Sequence, residues 1–160
     1  MATTTLGAIK NNWETLFDAL TPGTKTAVKF RRAPRDEDFH EWALEYSTAA
    51  SRRYQVLRTG EVTPAPWHHP SEHWWVEQVM VEIAYHPQSF RSTQSLDDTE
   101  DVIRADALQI ADTITNSSNL ISGQDGIADD DAVIGSLDRD DDNVWFQEIL
   151  VTVRYKEARC

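Results

Sequence analysis

Three of the five histidines in the chain lie within residues 67–75, which read WHHPSEHWW. The stretch contains the pattern H-x-x-E-H at His69, Glu72 and His73. On a helix, this pattern projects both histidines from the same side, where they bind zinc together with a distant third ligand. The chemistry that these residue types would support is metal-dependent hydrolysis.

The residues around the H-x-x-E-H pattern argue against a helix at this position. Pro70 lies inside the pattern, Pro64 and Pro66 precede it, and strand-like alternation begins at Trp74. A residue that precedes proline is pushed away from helical backbone angles. We therefore predict that residues 63–73 form a loop, that the chain is not an enzyme, and that it holds no metal or cofactor. A small zinc-dependent hydrolase built on the pattern is the alternative from a different class of protein.

A run of acidic residues that begins at Asp138 imitates the start of a calcium-binding loop. It reads DRDDDN, and a D-x-D-x-D opening is typical of an EF-hand. That loop also needs a glycine at its sixth position and a glutamate at its twelfth, where this chain has Asn143 and Ile149. The flanking residues alternate as strands do, whereas an EF-hand requires helices. We expect an exposed acidic loop, and cation binding by Asp129–Asp131 or Asp138–Asp142 stays open.

Length and charge bound the classes of function. The chain has 160 residues and a formal net charge of -12. This is the size of one domain, and the charge has the wrong sign for binding a nucleic-acid backbone. No apolar run is long enough to cross a membrane, and the N-terminus lacks the basic and apolar regions of a signal peptide. Cys160 is the single cysteine, so the fold cannot depend on an internal disulfide.

The hydrophobic pattern predicts an α+β fold. Apolar residues at helical spacing predict helices over residues 6–20, 39–46 and 97–115. Alternating residues predict strands over residues 25–32, 51–62, 74–86 and 143–156, with a further short strand over 132–137. We expect a mostly antiparallel sheet of four to five strands with two main helices packed on one face. Residues 1–160 would form a single domain, with long loops at 63–73 and 119–142.

Tryptophans at the end of the proline-rich loop are candidates for a subunit contact. Neighbouring residues of a strand face opposite sides, so Trp74 and Trp75 cannot both point into the core. Because tryptophan is enriched at protein contacts, Trp67 and Trp74 are the candidate contact residues. The alternative is that Trp75 packs in the core and the loop covers Trp74.

The order of the elements, taken with their sequences, is similar to that of one family. The elements are the helix LGAIKNNWETLFDAL, the strand TAVKFRRA, the extended pair SRRYQVLR and VEQVMVEIAYH, the acid-headed helix DDTEDVIRADALQIADTI and the long strand VWFQEILVTVRYKEA. The most characteristic residues are Asp101, Val102, Ile103, Asp106, Ile110 and Ile114, which follow a strand ending in Tyr85-His86-Pro87. In these respects the chain resembles the small tail terminator proteins of long-tailed bacteriophages, and the similar neck and tail-completion proteins.

The resemblance implies a structural virion protein. Such a protein caps the tail tube as a homohexameric ring, ends tube polymerisation and provides the surface that joins the tail to the head. Its partners would be copies of itself, the tail tube protein and a head-side neck or connector protein. Genomic DNA would pass through the lumen without specific binding, and no membrane would be involved. The protein would be found in the tail and neck of the virion, and in the host cytoplasm during assembly.

A closed ring needs two different, complementary surfaces on each subunit. The candidates are the basic residues Arg31, Arg32, Arg52 and Arg53, set against the acidic residues 125–142. Ordinary charged surface is the alternative interpretation of both groups. Two further functions stay open, namely another neck protein that completes or connects the head, and a monomeric module whose acidic loops bind a basic partner.

Overall fold

The structure, a computed structural model, describes residues 3–21, 30–33, 39, 52–58, 60, 62–64, 73–86, 96–127 and 131–157. Two helices are present in this part of the chain, α1 (Leu6–Ala19) and α2 (Leu96–Thr115), and a 3-10 turn (Ser117–Asn119) follows α2. The strands are β1 (Phe30–Arg32), β2 (Arg52–Arg58), β3 (Thr63–Pro64), β4 (Trp74–Tyr85), β5 (Ala132–Arg139) and β6 (Trp145–Lys156). The short helix predicted over residues 39–46 lies outside the described residues, apart from Phe39.

Helix α1 forms where the apolar spacing predicts it. The Thr5 side chain accepts a hydrogen bond of 3.2 Å from the backbone N–H of Ala8. This contact satisfies one of the N–H groups that have no partner at a helix start. The helix ends before Leu20, whose N–H donates to the carbonyl oxygen of Phe17. The large apolar side chains that it buries are Leu6, Ile9, Trp13 and Phe17.

Helix α2 packs its apolar side into the same core. Asp106 is 0% exposed and accepts a 2.8 Å hydrogen bond from the Tyr85 hydroxyl of β4. Because a buried carboxylate is costly without a partner, this bond favours one alignment of α2 against the sheet. The helix ends at Thr115, and the side chain of Asn116 then caps the 3-10 turn by accepting a 3.0 Å hydrogen bond from the N–H of Ser118. The apolar residues of α2 in the core are Ile103, Ala107, Ile110 and Ile114.

The strand order of the sheet is β1-β2-β4-β6-β5, and β3 pairs with β4 beside β2. Strands β1 and β2 are parallel, whereas the other described pairs are antiparallel. The predicted α+β class and the mostly antiparallel sheet are therefore confirmed. The predicted number of strands is wrong, because the sheet has six strands rather than four to five. Strand β3 has only two residues, one of them proline, which is too short for an alternating pattern to reveal.

The two faces of the sheet differ in what covers them. One face packs against α1 and α2 and supplies the sheet residues of the main core, among them Tyr54, Val81, Ile83 and Ile149. We call the opposite side the second face. By the register of the strands it carries Arg31, Arg53, Gln55, Leu57, Val133, Asp138 and the even-numbered residues of β4 and β6. At one end of the second face lies a smaller apolar cluster of Ala33, Phe39, Ala84, Val144 and Phe146.

Neither described helix has the length and apolar character that crossing a membrane requires.

Besides Tyr85, two buried tyrosines carry hydroxyl groups that are held by carboxylates. The Tyr54 hydroxyl donates to Asp18 Oδ1 at 2.7 Å, and the Tyr155 hydroxyl donates to Glu77 Oε2 at 3.0 Å. Burial, and then the hydrogen bond to Asp18, raises the pKa of Tyr54 far above its ordinary value of 10.0. Burial, and then the hydrogen bond to Glu77, raises the pKa of Tyr155 in the same direction.

These shifts predict that the protein loses stability in strongly alkaline solution. Above about pH 10 the unfolded chain releases the tyrosine protons while the folded chain retains them. The folded state then binds more protons, so the free energy of unfolding falls as pH rises from about 10 toward the folded pKa values. The expected slope is about 1.4 kcal/mol per pH unit for each tyrosine. Urea unfolding at several alkaline pH values measures it, and a Tyr54→Phe, Tyr155→Phe double variant should show a flatter dependence. Equal slopes in the two proteins would contradict this assignment.

Candidate functional site

The H-x-x-E-H pattern lies partly within the described residues. His73 comes directly before β4, and its ring stacks on that of Trp75 with 4.8 Å between centroids and 8° between planes. Its carbonyl oxygen accepts a 3.1 Å hydrogen bond from the N–H of Glu157, so His73 belongs to the end of the sheet. His69 and Glu72 lie outside the described residues. In the described ranges, no group of three or more His, Cys, Asp or Glu side chains could hold a metal ion.

The tryptophans at the start of β4 face opposite sides of the sheet. Trp75 packs against the main core as a half-buried residue. Trp74 lies on the second face, also half-buried, and the Nζ atom of Lys156 lies 6.0 Å from the centre of its ring. Trp67 lies outside the described residues. A subunit contact at Trp74 and Trp67 therefore stays a prediction, and part of the Trp74 side chain is accessible for it.

The acidic run from Asp138 forms the turn between β5 and β6. Asp140 Oδ1 accepts hydrogen bonds of 2.9 Å from the N–H groups of Asp142 and Val144. Asn143 has a φ of 62°, a left-handed conformation that asparagine tolerates better than most residues. The strands on either side agree with the prediction against an EF-hand. The exposed acidic residues of this segment are Asp138, Asp141 and Asp142.

The candidate arginines occupy different environments. Arg31 is exposed on the second face at β1. Arg32 points to the other face, where it forms an ion pair with Glu14 of α1, and the hydrogen bond from this pair raises the pKa of Arg32. Arg53 is only 3% exposed, so its side chain offers little surface to a neighbouring subunit. The backbone of Arg52 pairs in β2 opposite Tyr85.

A row of apolar side chains crosses the second face, and the sequence patterns did not single it out. Leu57 of β2 pairs with Met80 of β4, Met80 with Leu150 of β6, and Leu150 with Val133 of β5. Leu57, Leu150 and Val133 are 37%, 39% and 51% exposed, and Met80 is half-buried. We call these four residues the apolar row. The sequence did carry part of the signal, because Met80 and Leu150 alternate with the core residues of their strands. The order of the strands, which aligns these residues with Leu57 and Val133, cannot be predicted from residue spacing.

Charged and polar residues surround the apolar row. On one side lie Glu82 and Glu148, which are cross-strand partners, and Gln55 donates a 3.1 Å hydrogen bond to Glu82. On the other side lie Gln78 and Thr152, which are also partners. An apolar centre with a polar rim is the usual anatomy of a protein contact. The apolar row and its polar rim thus have the composition that such a contact surface has.

The sequence matches no protein-family model and no curated protein.

Proposed function

We propose that this chain is a structural virion subunit that caps a phage tail tube as a homohexameric ring. It ends tube polymerisation there and provides the surface that joins the tail to the head. The resemblance of the element order and sequence stretches to tail terminator proteins motivates the proposal. The observation that carries it is the apolar row on the second face of the sheet.

The apolar row supports a role in assembly for a physical reason. Single exposed apolar residues are common on soluble proteins, but contiguous ones usually mark a contact with another molecule. Leu57, Leu150 and Val133 belong to three different strands and are each more than a third exposed. Their cross-strand alignment makes them one continuous surface through Met80. A subunit of a larger particle buries such a surface when it assembles.

The charge of the chain is compatible with the proposed position in the virion. A net charge of -12 disfavours binding to the DNA backbone, which suits a ring that DNA must pass through without being held. The partners in this proposal are further copies of the chain, the tail tube protein and a head-side neck or connector protein. The proposed location is the tail and neck of the virion, with assembly in the host cytoplasm.

Mass and shape in solution test the proposal. The purified full chain should form particles of about six times its mass of 18.2 kDa. Negative-stain electron microscopy of the same fraction should show six-fold rings. A chain that stays monomeric at high concentration, or that forms only closed dimers, would contradict the proposed ring. Head-completion and connector proteins of the neck are the alternative within this class. Adding the purified protein to tail tubes distinguishes them, because a terminator should block further growth at the tube ends.

Metal analysis of the same fraction separates the structural function from the hydrolase alternative. The structural function predicts much less than one zinc per chain and unchanged assembly in a His73→Ala variant. A zinc hydrolase built on His69, Glu72 and His73 predicts one zinc per chain that this variant loses. Zinc bound at one per chain and lost in the variant would replace the structural proposal.

A further inference from the structure

We propose that neighbouring subunits of the ring join edge to edge, with β1 of one copy beside β5 of the next. This inference rests on the proposed ring and specifies the contact that closes it. The occupant of each sheet edge is a second copy of this chain. The strand order, the strand directions and the charges of the two edges support this contact.

Among the described strands, β1 and β5 lie at the two opposite ends of the sheet. In the described part of the chain, β1 pairs only with β2 and β5 pairs only with β6. Edge strands present unpaired N–H and C=O groups to any further strand. Since β1 is parallel to β2, and β2, β4, β6 and β5 are successively antiparallel, β5 runs antiparallel to β1. Copies related by a rotation about an axis along the strands would therefore bring β1 and β5 together as an antiparallel pair.

The regularly paired part of β5 has the same length as β1 and lies at the same level along the strand direction. Part of β5 is interrupted by an irregularity between Ile134 and Leu137. There the Gln147 amide donates to the carbonyl oxygens of Gly135 and Ser136 at 3.0 and 3.1 Å. The three residues that follow, 137–139, pair regularly with β6. When the cross-strand partners are followed from strand to strand across the sheet, residues 137–139 of β5 align with the three residues of β1.

Opposite charges occupy matching positions on the two edges. The cross-strand row that contains Arg31 continues through Arg53, Ala84 and Phe146 to Asp138. Arg31 and Asp138 thus lie on the same face, at the same height and at opposite edges, and both are exposed. In the described part of the chain, no hydrogen bond or ion pair engages either side chain. In an edge-to-edge contact, Arg31 of one copy therefore faces Asp138 of the next.

The acidic turn strengthens the charge difference between the edges. Asp141 and Asp142 lie in the turn after β5 and are exposed. The single basic residue of β5, Arg139, faces the other side of the sheet, where its guanidinium lies 5.0 Å from the centre of the Trp145 ring. The edge at β5 is therefore acidic on the second face, whereas the edge at β1 is basic there.

This distribution favours a head-to-tail contact over a two-fold one. Joining two β1 edges would place Arg31 near Arg31, and joining two β5 edges would place Asp138 near Asp138. Like charges directly across a strand pair are destabilising. Only the contact between unlike edges pairs opposite charges, and repetition of such a head-to-tail contact generates a ring when the rotation between neighbouring subunits closes.

Charge reversal tests the contact in four variants. Arg31→Glu and Asp138→Lys should each raise the concentration needed for half-assembly by about tenfold or more, because like charges then face each other across the contact. Arg104→Glu and Asp112→Lys, at exposed positions of α2, make the same charge changes outside both edge strands and should assemble like the wild type. Circular dichroism and thermal melting establish that each variant is folded.

Mixing the two edge variants provides the decisive measurement. Alone, the first variant has two acidic edges and the second has two basic edges. In an equimolar mixture each acidic edge can meet a basic one, so rings of alternating subunits should form with the mass of the wild-type assembly. If the wild type forms rings and the edge variants assemble equally well, the edge contact is wrong. It is also wrong if the wild type forms rings but the mixture of the two variants does not assemble. Either result would leave the proposed function standing. A wild-type chain that never assembles would overturn both.

Disulfide trapping gives a second readout if an edge variant fails to fold. Arg31→Cys and Asp138→Cys are combined with Cys160→Ser, so that only the new cysteines can react. Residues opposite each other on paired antiparallel strands lie within the range of a disulfide. Oxidation should yield a ladder of covalent oligomers that ends at the hexamer. Intramolecular products alone, or no cross-link in assembled rings, would contradict the edge contact.

Discussion

A Trp13→Ala variant is expected to lose about 3–5 kcal/mol of its free energy of unfolding, the range for truncation of a large buried aromatic residue. Trp13 is 1% exposed and is among the largest fully buried side chains in the described part of the chain. It lies in the main core between α1 and the sheet. Its removal leaves a cavity that the strands, fixed by their hydrogen bonds, cannot close fully. The loss would be a large fraction of the total stability of a domain.

Urea unfolding of wild type and variant measures this effect. Leu108→Ala on α2 is the matched control, because Leu108 is 50% exposed and its truncation should change stability by at most about 0.5 kcal/mol. A loss below about 1 kcal/mol for Trp13→Ala would mean that α1 does not pack as described.

The second large effect is expected for Gly123→Ala, which should destabilise the chain by about 2–4 kcal/mol. Gly123 has a φ of 89°, and a left-handed backbone costs a residue with a Cβ atom about 1–2 kcal/mol. An added Cβ would also lie 2.7 Å from the Thr3 carbonyl carbon and 2.8 Å from the Thr4 nitrogen. Both are backbone atoms that cannot rotate away, and overpacking of this kind costs about 1–3 kcal/mol.

The clash would weaken two backbone hydrogen bonds beside Gly123. Lys156 N–H donates to the Gly123 carbonyl oxygen at 2.7 Å, and Thr4 N–H donates to the Lys156 carbonyl oxygen at 2.7 Å. Hydrogen exchange at Thr4 should therefore accelerate in Gly123→Ala. Gly126→Ala is the control, because a Cβ there meets nothing within 4 Å. Equal melting temperatures for the two variants would contradict the close approach at Gly123.

The helices and the long strands were predictable because their signals are local. Helix α1 carries its own cap at Thr5 and its own apolar stripe, so nothing distant is needed to define it. Strands β4 and β6 alternate over many residues, and Val81, Ile83 and Ile149 lie on the buried face of that alternation. The two-residue β3 has no such signal. It exists because Thr63 and Pro64 lie beside Val76 and Trp75, a relation that depends on the whole sheet.

The contact surfaces were less predictable because they depend on strand order. Met80 and Leu150 could be assigned to the face opposite the core, but their union with Leu57 and Val133 requires knowing which strands are neighbours. Arg31 was a candidate from its charge alone, and its alignment with Asp138 emerges only through four successive strand pairings. Arg53 has the same residue type and the same face, yet its interior strand buries it. Residue type therefore identified the candidates, and topology distinguished among them.

The most direct test of the assembly account is the mass of the wild-type chain in solution at two salt concentrations. At about 0.1 M salt, where the Debye length is about 10 Å, the account predicts a particle of six times 18.2 kDa. At about 1 M salt, where the Debye length is about 3 Å, screening of the charged edges should shift the distribution toward smaller species. A monomer at both salt concentrations, even in concentrated solution, would contradict the account.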